Sequence, residues 1–172
     1  MPDAGNNASR LRFRPFLRSD ALAMMSWRYP PPYSAYNLDS PEPTVLAELL
    51  RTENRYHAIL CDGEMIGFFS VGPDARVPGW NYDDNALDVG MGLRPDRTGQ
   101  GQGYVCLTAI LAFVGHESPG RVLRATVLAW NQRALRVCHR AGFRPVATFK
   151  KKDAGDHDCI VLLRNPSRSS LL

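Results

Sequence analysis

Between Leu93 and Gly103 the sequence reads Leu-Arg-Pro-Asp-Arg-Thr-Gly-Gln-Gly-Gln-Gly, and no other stretch restricts the fold so narrowly. Ahead of it, Ala86 to Leu93 is an apolar, strand-like segment. After it, Tyr104 to Gly115 reads as a helix with Val105, Ala109, Ala112 and Phe113 on one face. Glycines spaced by two thus form a strand-to-helix junction. Their backbone can bend to aim N–H groups into a concave turn, and the helix that follows adds roughly half a positive charge. Such a turn suits a pyrophosphate. A dinucleotide fingerprint would need glycine where Tyr104 stands, and a P-loop would need a Gly-Lys pair that the chain lacks. On these residues alone, a plain flexible Gly-rich turn is the alternative.

With 172 residues and 44% hydrophobic content, one domain with a sizeable core is expected, spanning 11–164 between flexible ends at 1–10 and 165–172. The formal charge of +4 is a mild excess that a negatively charged ligand explains, and it is no footprint of a nucleic-acid binder. Lys150, Lys151 and Lys152 read as a solvated turn rather than an RNA contact. Cys61, Cys106, Cys138 and Cys159 stand too far apart for a Cys-x-x-Cys pair, so reduced thiols and no metal are expected. No apolar run approaches a membrane span or a signal-peptide core. A cytoplasmic protein without membrane or nucleic-acid partners follows, and a homodimer is left open.

Along the chain, Leu11 to Phe16 alternates as a first strand, and Ser19-Asp20 offers an N-cap for a helix to about Tyr29, ended by Pro30 to Pro32. Ser40-Pro41-Glu42-Pro43 precedes a second helix over Val45 to Arg51. Tyr56 to Cys61, Met65 to Val71 and Ala86 to Leu93 read as an antiparallel meander, its first turn at Asp62-Gly63. Past the glycine junction come a strand over Leu123 to Trp130, a helix over Asn131 to Ala141, and a strand pair over Arg144 to Lys150 and Cys159 to Leu163. The fold class is α/β (α+β): a mixed, mostly antiparallel sheet of six or seven strands with about four helices.

A strand, a proline, and then Thr98-Gly99-Gln100-Gly101-Gln102-Gly103 opening a helix resembles the acetyl-CoA loop of GNAT N-acetyltransferases, Q/R-x-x-G-x-G/A. Asn131-Gln132-Arg133-Ala134 through Cys138 to Gly142-Phe143 is similar to the family's N-x-x-A-x-x-x-Y-x-x-x-G-F segment. The two motifs cover Ala86 to about Pro145. What the resemblance implies is a fourth and a fifth strand splayed at their ends, the fourth offering unpaired backbone to the pantetheine amides as an open strand edge does. It further implies acetyl-CoA as cofactor, held by Met91, Gly92 and Leu93, by Thr98, Gly99, Gln100, Gly101, Gln102 and Gly103 around the pyrophosphate, and by Asn131 and Ala134. The activity implied is acetyl transfer to a primary amine by direct attack. A non-catalytic acyl-CoA-binding or regulatory module of the same fold is the alternative.

This sequence departs from the family at Thr98, where Arg or Gln is usual, and at Cys138, where many members carry a tyrosine that protonates the departing thiolate. A thiol is a weak acid suited to that task, though a small buried residue on the helix's inner face is the competing reading. Asp88 is the candidate base for the acceptor ammonium, because Gly90 and Gly92 on the same pleat face leave space in front of it. A salt-bridged strand residue is the alternative there. Trp27, Tyr29, Tyr33, Tyr36 and Asn37, in a proline-stiffened loop, are the candidate acceptor-binding residues, suited to an amine with an apolar or planar part.

Overall fold

The computed structural model describes residues 10–38, 43–152 and 157–166. The expected flexible ends, apart from Arg10, Asn165 and Pro166, lie outside the described residues, as do Ser40, Pro41 and Glu42. Strands β1 (Leu11–Pro15), β2 (His57–Cys61), β3 (Glu64–Val71), β4 (Ala86–Leu93), β5 (Val122–Leu128), β6 (Arg144–Lys150) and β7 (Asp158–Arg164) form one sheet in the order β1-β2-β3-β4-β5-β7-β6. Helices α1 (Arg18–Met25), α2 (Pro43–Leu49), α3 (Gln102–Glu117) and α4 (Gln132–Arg140) complete the described regular elements with a few short 3₁₀ turns. The mixed architecture and its element order are those the sequence predicts. Asp62 and Gly63, both at positive φ (52° and 84°), make the tight β2-β3 turn.

Every strand pair is antiparallel except β4 with β5. A parallel pair needs a long crossover, and α3 supplies it. On β3, Phe68 and Phe69 point to opposite faces of the sheet, and each feeds its own apolar cluster. Phe69 packs with Ile59, Ile110, Val114, Phe143 and Leu162 beneath α3 and α4. Phe68 joins Ala21, Met24, Met25, Leu46 and Leu49 of α1 and α2, with Trp27 beside them.

The buried face of α3 is Cys106, Leu107, Ile110, Leu111 and Val114, not the Val105, Ala109, Ala112 and Phe113 face expected from periodicity. The helix is apolar nearly all round, so pattern alone leaves its rotation undetermined. Packing in the fold decides instead: Cys106, Leu107, Ile110, Leu111 and Val114 fall inside the main core cluster, and Phe113 only packs against it.

Helix α1 also starts and stops differently. Leu17 is its N-cap residue, and Asp20 sits in the first turn, where its carboxylate accepts the Leu17 N–H at 2.8 Å, the reaching-back half of a capping box. The helix ends at Met25, before the prolines. Ser26 Oγ donates to the Ala23 carbonyl at 2.6 Å and Arg28 Nη1 to the Met25 carbonyl at 2.9 Å, so its last acceptors are satisfied early.

Asp20 is buried and hydrogen-bonded to Arg14 as well. Burial works to raise its pKa, but the Arg14 hydrogen bond, the Leu17 N–H and the Arg14 charge together hold it below the ordinary carboxylate value. A carboxyl depressed by folding adds stability above its unfolded pKa of about 4 and loses it as pH falls through the lower folded value. Asp20→Asn is expected to cost about 2 kcal/mol at neutral pH and to flatten the acid limb of stability below about pH 4, measured by thermal melts across that range.

Candidate active site

The backbone of β4 has two edges, and their use is fixed by parity. Gly72 donates to the Asp88 carbonyl at 2.9 Å and Arg94 donates to Ile66 at 2.8 Å, so the even-numbered residues of β4 turn their N–H and C=O toward β3. Val89, Met91 and Leu93 turn theirs toward β5. Pairing with β5 runs only Ala86↔Val122, Leu87↔Leu123 and Asp88↔Arg124, while β5 stays with β7 as far as Leu128. The two strands therefore part after Asp88, leaving a wedge lined on one side by the backbone of Val89, Met91 and Leu93. Met91 and Leu93 lie where the sequence puts them. Gly92 does not: its backbone belongs to β3, opposite Phe68, and a Cβ there would stand 2.6 Å from the Phe68 ring. Its contribution is the room it leaves for that ring.

The glycine junction closes the wide end of the wedge. After a 3₁₀ turn at Pro95–Arg97, Gly99 (φ 73°) and Gly101 (φ 78°) take left-handed conformations, and Gly101 is the N-cap of α3. Nothing lies within 4 Å of where a Gly101 Cβ would sit, whereas a Gly103 Cβ would touch Val137 at 3.5 Å, so α3 and α4 pack closely at that point. The turn is an open cradle of the kind a diphosphate fills.

The polar side chains of the loop are spent on the loop itself. Thr98 Oγ1 donates to the Pro95 carbonyl and Gln100 Nε2 to the Asp96 carbonyl, each at 2.8 Å, which corrects the expectation that the Thr98 hydroxyl is available to a phosphate. Gln102 turns its side chain into a cleft with Leu11, Cys61, Ile66, Val105 and Cys106; its backbone alone is left for a cofactor. Glu64 accepts from Arg94 at 2.8 Å and from Arg97 at 3.0 Å, and Asp96 accepts from Arg94 at 2.6 Å. Arg94 and Arg97, the two arginines on the approach to the glycines, are thereby paired with carboxylates.

Across the wedge, Asn131 is the N-cap of α4: its Oδ1 accepts the Ala134 N–H at 3.1 Å and its Nδ2 donates to the Tyr36 hydroxyl at 2.9 Å. Tyr36 and Tyr33 set their rings 5.7 and 5.6 Å from Trp130. Tyr29, from the same loop, donates its hydroxyl to the Leu93 carbonyl at 2.6 Å, and burial pushes its pKa up to about 12. The aromatic loop thus bridges both arms of the wedge. Two of its residues serve it internally, against expectation. Trp27 packs on Phe68, 6.1 Å between rings, in the apolar cluster under α1, and Asn37 clasps the Tyr29 backbone, accepting its N–H at 2.7 Å. Trp130 and Arg133 are unanticipated members of the site; Trp130 read only as the end of a strand, although a large ring directly before a capping Asn was the available signal. The Arg133 guanidinium lies over the Tyr33 ring at 4.6 Å.

Neither expected proton-transfer group is presented to the wedge. Asp88 is 2% exposed, accepts from Arg124 Nε at 2.6 Å and Nη2 at 2.9 Å, and accepts from Arg76 Nε at 2.8 Å. The space predicted before it is filled: Phe68 occupies the front of Gly92, and Ala75 stands 3.3 Å from a Gly90 Cβ. The salt-bridged reading of Asp88 is the one the geometry matches. Cys138 belongs to the main core cluster, and burial pushes its thiol up to about 11.

Residues 10–144 match the family described as acetyltransferase (GNAT) domain. No curated protein matches the sequence. Similar solved structures include a GNAT-family acetyltransferase from Bordetella pertussis (23% identity, TM-score 0.72, covering 90% of this chain and 95% of that one). Another is the aminoglycoside acetyltransferase AAC(6')-Ib in complex with coenzyme A (15%, 0.68, 90% and 94%). A third is RimL, a ribosomal-protein alpha-N-acetyltransferase in complex with coenzyme A (17%, 0.68, 94% and 97%). At these identities the likeness is one of fold.

Proposed function

The chain belongs to the GNAT acetyltransferase family, and we propose that it transfers an acetyl group from acetyl-CoA to a primary amine by direct attack. The observation that carries this reading is the wedge after Asp88, where β4 backbone released from β5, with the Leu93 carbonyl taken by Tyr29, runs into a cradle of left-handed glycines at a helix start. Met91 and Leu93 suit the amides of an extended pantetheine chain, and the N–H groups around Gly99, Gly101 and Gly103 suit its diphosphate. Bound acetyl-CoA supplies the thioester carbonyl. Asn131 keeps one of its two amide protons beyond the one given to Tyr36, and it stands on the arm opposite Leu93. Tyr36 accepts from Asn131, and among the described residues no acceptor takes its own hydroxyl proton, which leaves it available to a ligand. Positioning of the amine, rather than covalent chemistry, is the chain's main contribution.

The rings of Tyr33, Tyr36 and Trp130 favour an acceptor with an apolar or planar part. Solved structures of similar fold act on aminoglycosides or on ribosomal protein, so the acceptor test spans aminoglycosides, polyamines, peptide α-amines and arylalkylamines. A cytoplasmic setting is in keeping with four free cysteines, and no described helix is long and apolar enough to cross a membrane.

A second reading has specific support. Asp88 locked between arginines and Cys138 sunk in the core are what a non-catalytic acyl-CoA-binding module would tolerate. Thiol release from acetyl-CoA across the amine panel, with calorimetry for CoA binding, separates the two. Turnover on one amine supports the transferase; tight binding with no turnover on any supports the module. With its thiol protonated at neutral pH, Cys138 is a poor nucleophile, and no acyl-cysteine is expected to form. Peptide mass spectrometry of protein quenched during turnover checks this, and an acetylated Cys138 would contradict it.

A further inference from the structure

The cradle needs a cation that its own sequence motif does not provide. Backbone N–H groups carry only partial charge, whereas a diphosphate brings full negative charges. Thr98, at the motif position where a basic or amide side chain is usual, has its hydroxyl committed to Pro95, and Arg94 and Arg97 are engaged by Glu64 and Asp96. One cation beside the cradle is differently placed. Arg133, on the first turn of α4, has its guanidinium Nη2, Cζ and Nη1 at 3.8, 3.9 and 3.9 Å from the position of a Gly99 Cβ. Among the described residues no carboxylate pairs with it. The group lies on the Tyr33 ring, Cζ 4.6 Å from the centroid.

We propose that Arg133, held over the Tyr33 ring, is the charged partner of the cofactor diphosphate in the Gly99–Gly103 cradle, replacing from α4 the side chain that the loop lacks at Thr98. This rests on the acetyl-CoA reading of the site. A guanidinium held over an aromatic face by cation–π attraction gives up less freedom on binding, and with no carboxylate on it among the described residues its N–H groups remain for two-point binding of phosphate oxygens. Lysine offers the charge without the planar fork. Because Tyr33 belongs to the loop that reaches both arms of the wedge, the same stack joins cofactor occupancy to the acceptor side.

Calorimetry with CoA and with dephospho-CoA on the wild type, Arg133→Gln, Arg133→Lys and Arg136→Gln tests the assignment without any need for turnover. Arg133→Gln is expected to weaken both ligands alike, by about tenfold to a hundredfold, with Arg133→Lys recovering part of the loss. Arg136, an exposed residue on the same helix, serves as control, and Arg136→Gln should bind as the wild type does. Since Arg133 is exposed, thermal melts of the variants should coincide. Wild-type affinity in Arg133→Gln, or a loss confined to CoA, would overturn the proposal; the second outcome would place Arg133 on the 3′-phosphate. A wild type that binds neither ligand would instead bring down the acetyl-CoA reading itself, and this inference with it.

Discussion

Gly101→Leu is expected to abolish measurable CoA binding, a loss of about 100-fold or more, while the protein still folds. The affinity figure follows from removing two or more charge-assisted N–H contacts, each worth about 1.5–3 kcal/mol. Gly101 combines two properties that make it decisive. Its φ is 78° and nothing stands within 4 Å of its missing Cβ, so a leucine side chain starts into open space, the space from which an anion must approach. The left-handed conformation costs a non-glycine residue about 1–2 kcal/mol, which for a domain of this size lowers the melting temperature by roughly 2–8 °C. Folding and binding are thus separable by two measurements, a thermal melt and a CoA titration. A folded leucine variant with unchanged affinity would remove the cradle from consideration as the diphosphate site. Gly92 would give the opposite pattern. A side chain there collides with Phe68 at 2.6 Å, so its replacement damages the sheet first.

The parts of the molecule legible in the sequence are those set by local geometry. A strand must precede the glycine junction and a helix must follow it, because the turn needs left-handed residues at 99 and 101, and glycine is what tolerates them. Met91 and Leu93 at the open edge came from the resemblance to the family, since the two-residue period of a strand says only that alternate residues share an edge and not which edge is left open. What stayed hidden depends on side chains far apart in the chain. Arg76 and Arg124, which claim Asp88, lie 12 and 36 residues from it, and nothing in the spacing announces them. The space inferred in front of Gly90 and Gly92 assumed that no neighbour would enter it, yet Phe68 and Ala75 do. Arg133 was visible as part of a motif, but its stack on Tyr33 joins a helix start to a loop 100 positions earlier. The rotation of α3 was undecidable from pattern because almost every side of it is apolar.

Asp88→Ala is expected to cost about 3 kcal/mol or more of stability, a drop of roughly 10 °C in melting temperature. Asp88 and Arg124 are register partners on the last paired rung between β4 and β5, 2% and 4% exposed, so the pair sits at the vertex of the wedge. Removing the carboxylate strands a buried guanidinium. Asp83 at 3.0 Å from Arg124 Nη1 and the Tyr82 ring at 4.9 Å offset part of that, which places the loss at the lower end of the range for broken buried pairs. A change at the vertex also alters the opening of the strands, so weakened CoA binding in Asp88→Ala would not by itself distinguish a clamp from a catalytic base. The double variant Asp88→Leu with Arg124→Met does. Replacing both buried charges by apolar side chains of similar size is commonly neutral or stabilising, and Arg76, 30% exposed and 3.5 Å from Asp84, keeps a carboxylate and water, so melting temperature and CoA affinity should both recover. If the recovered double variant still turns over an amine found in the panel, with no carboxylate at position 88, Asp88 holds the strands together and takes no proton. Recovery of stability and CoA affinity with turnover lost would return Asp88 to the chemistry.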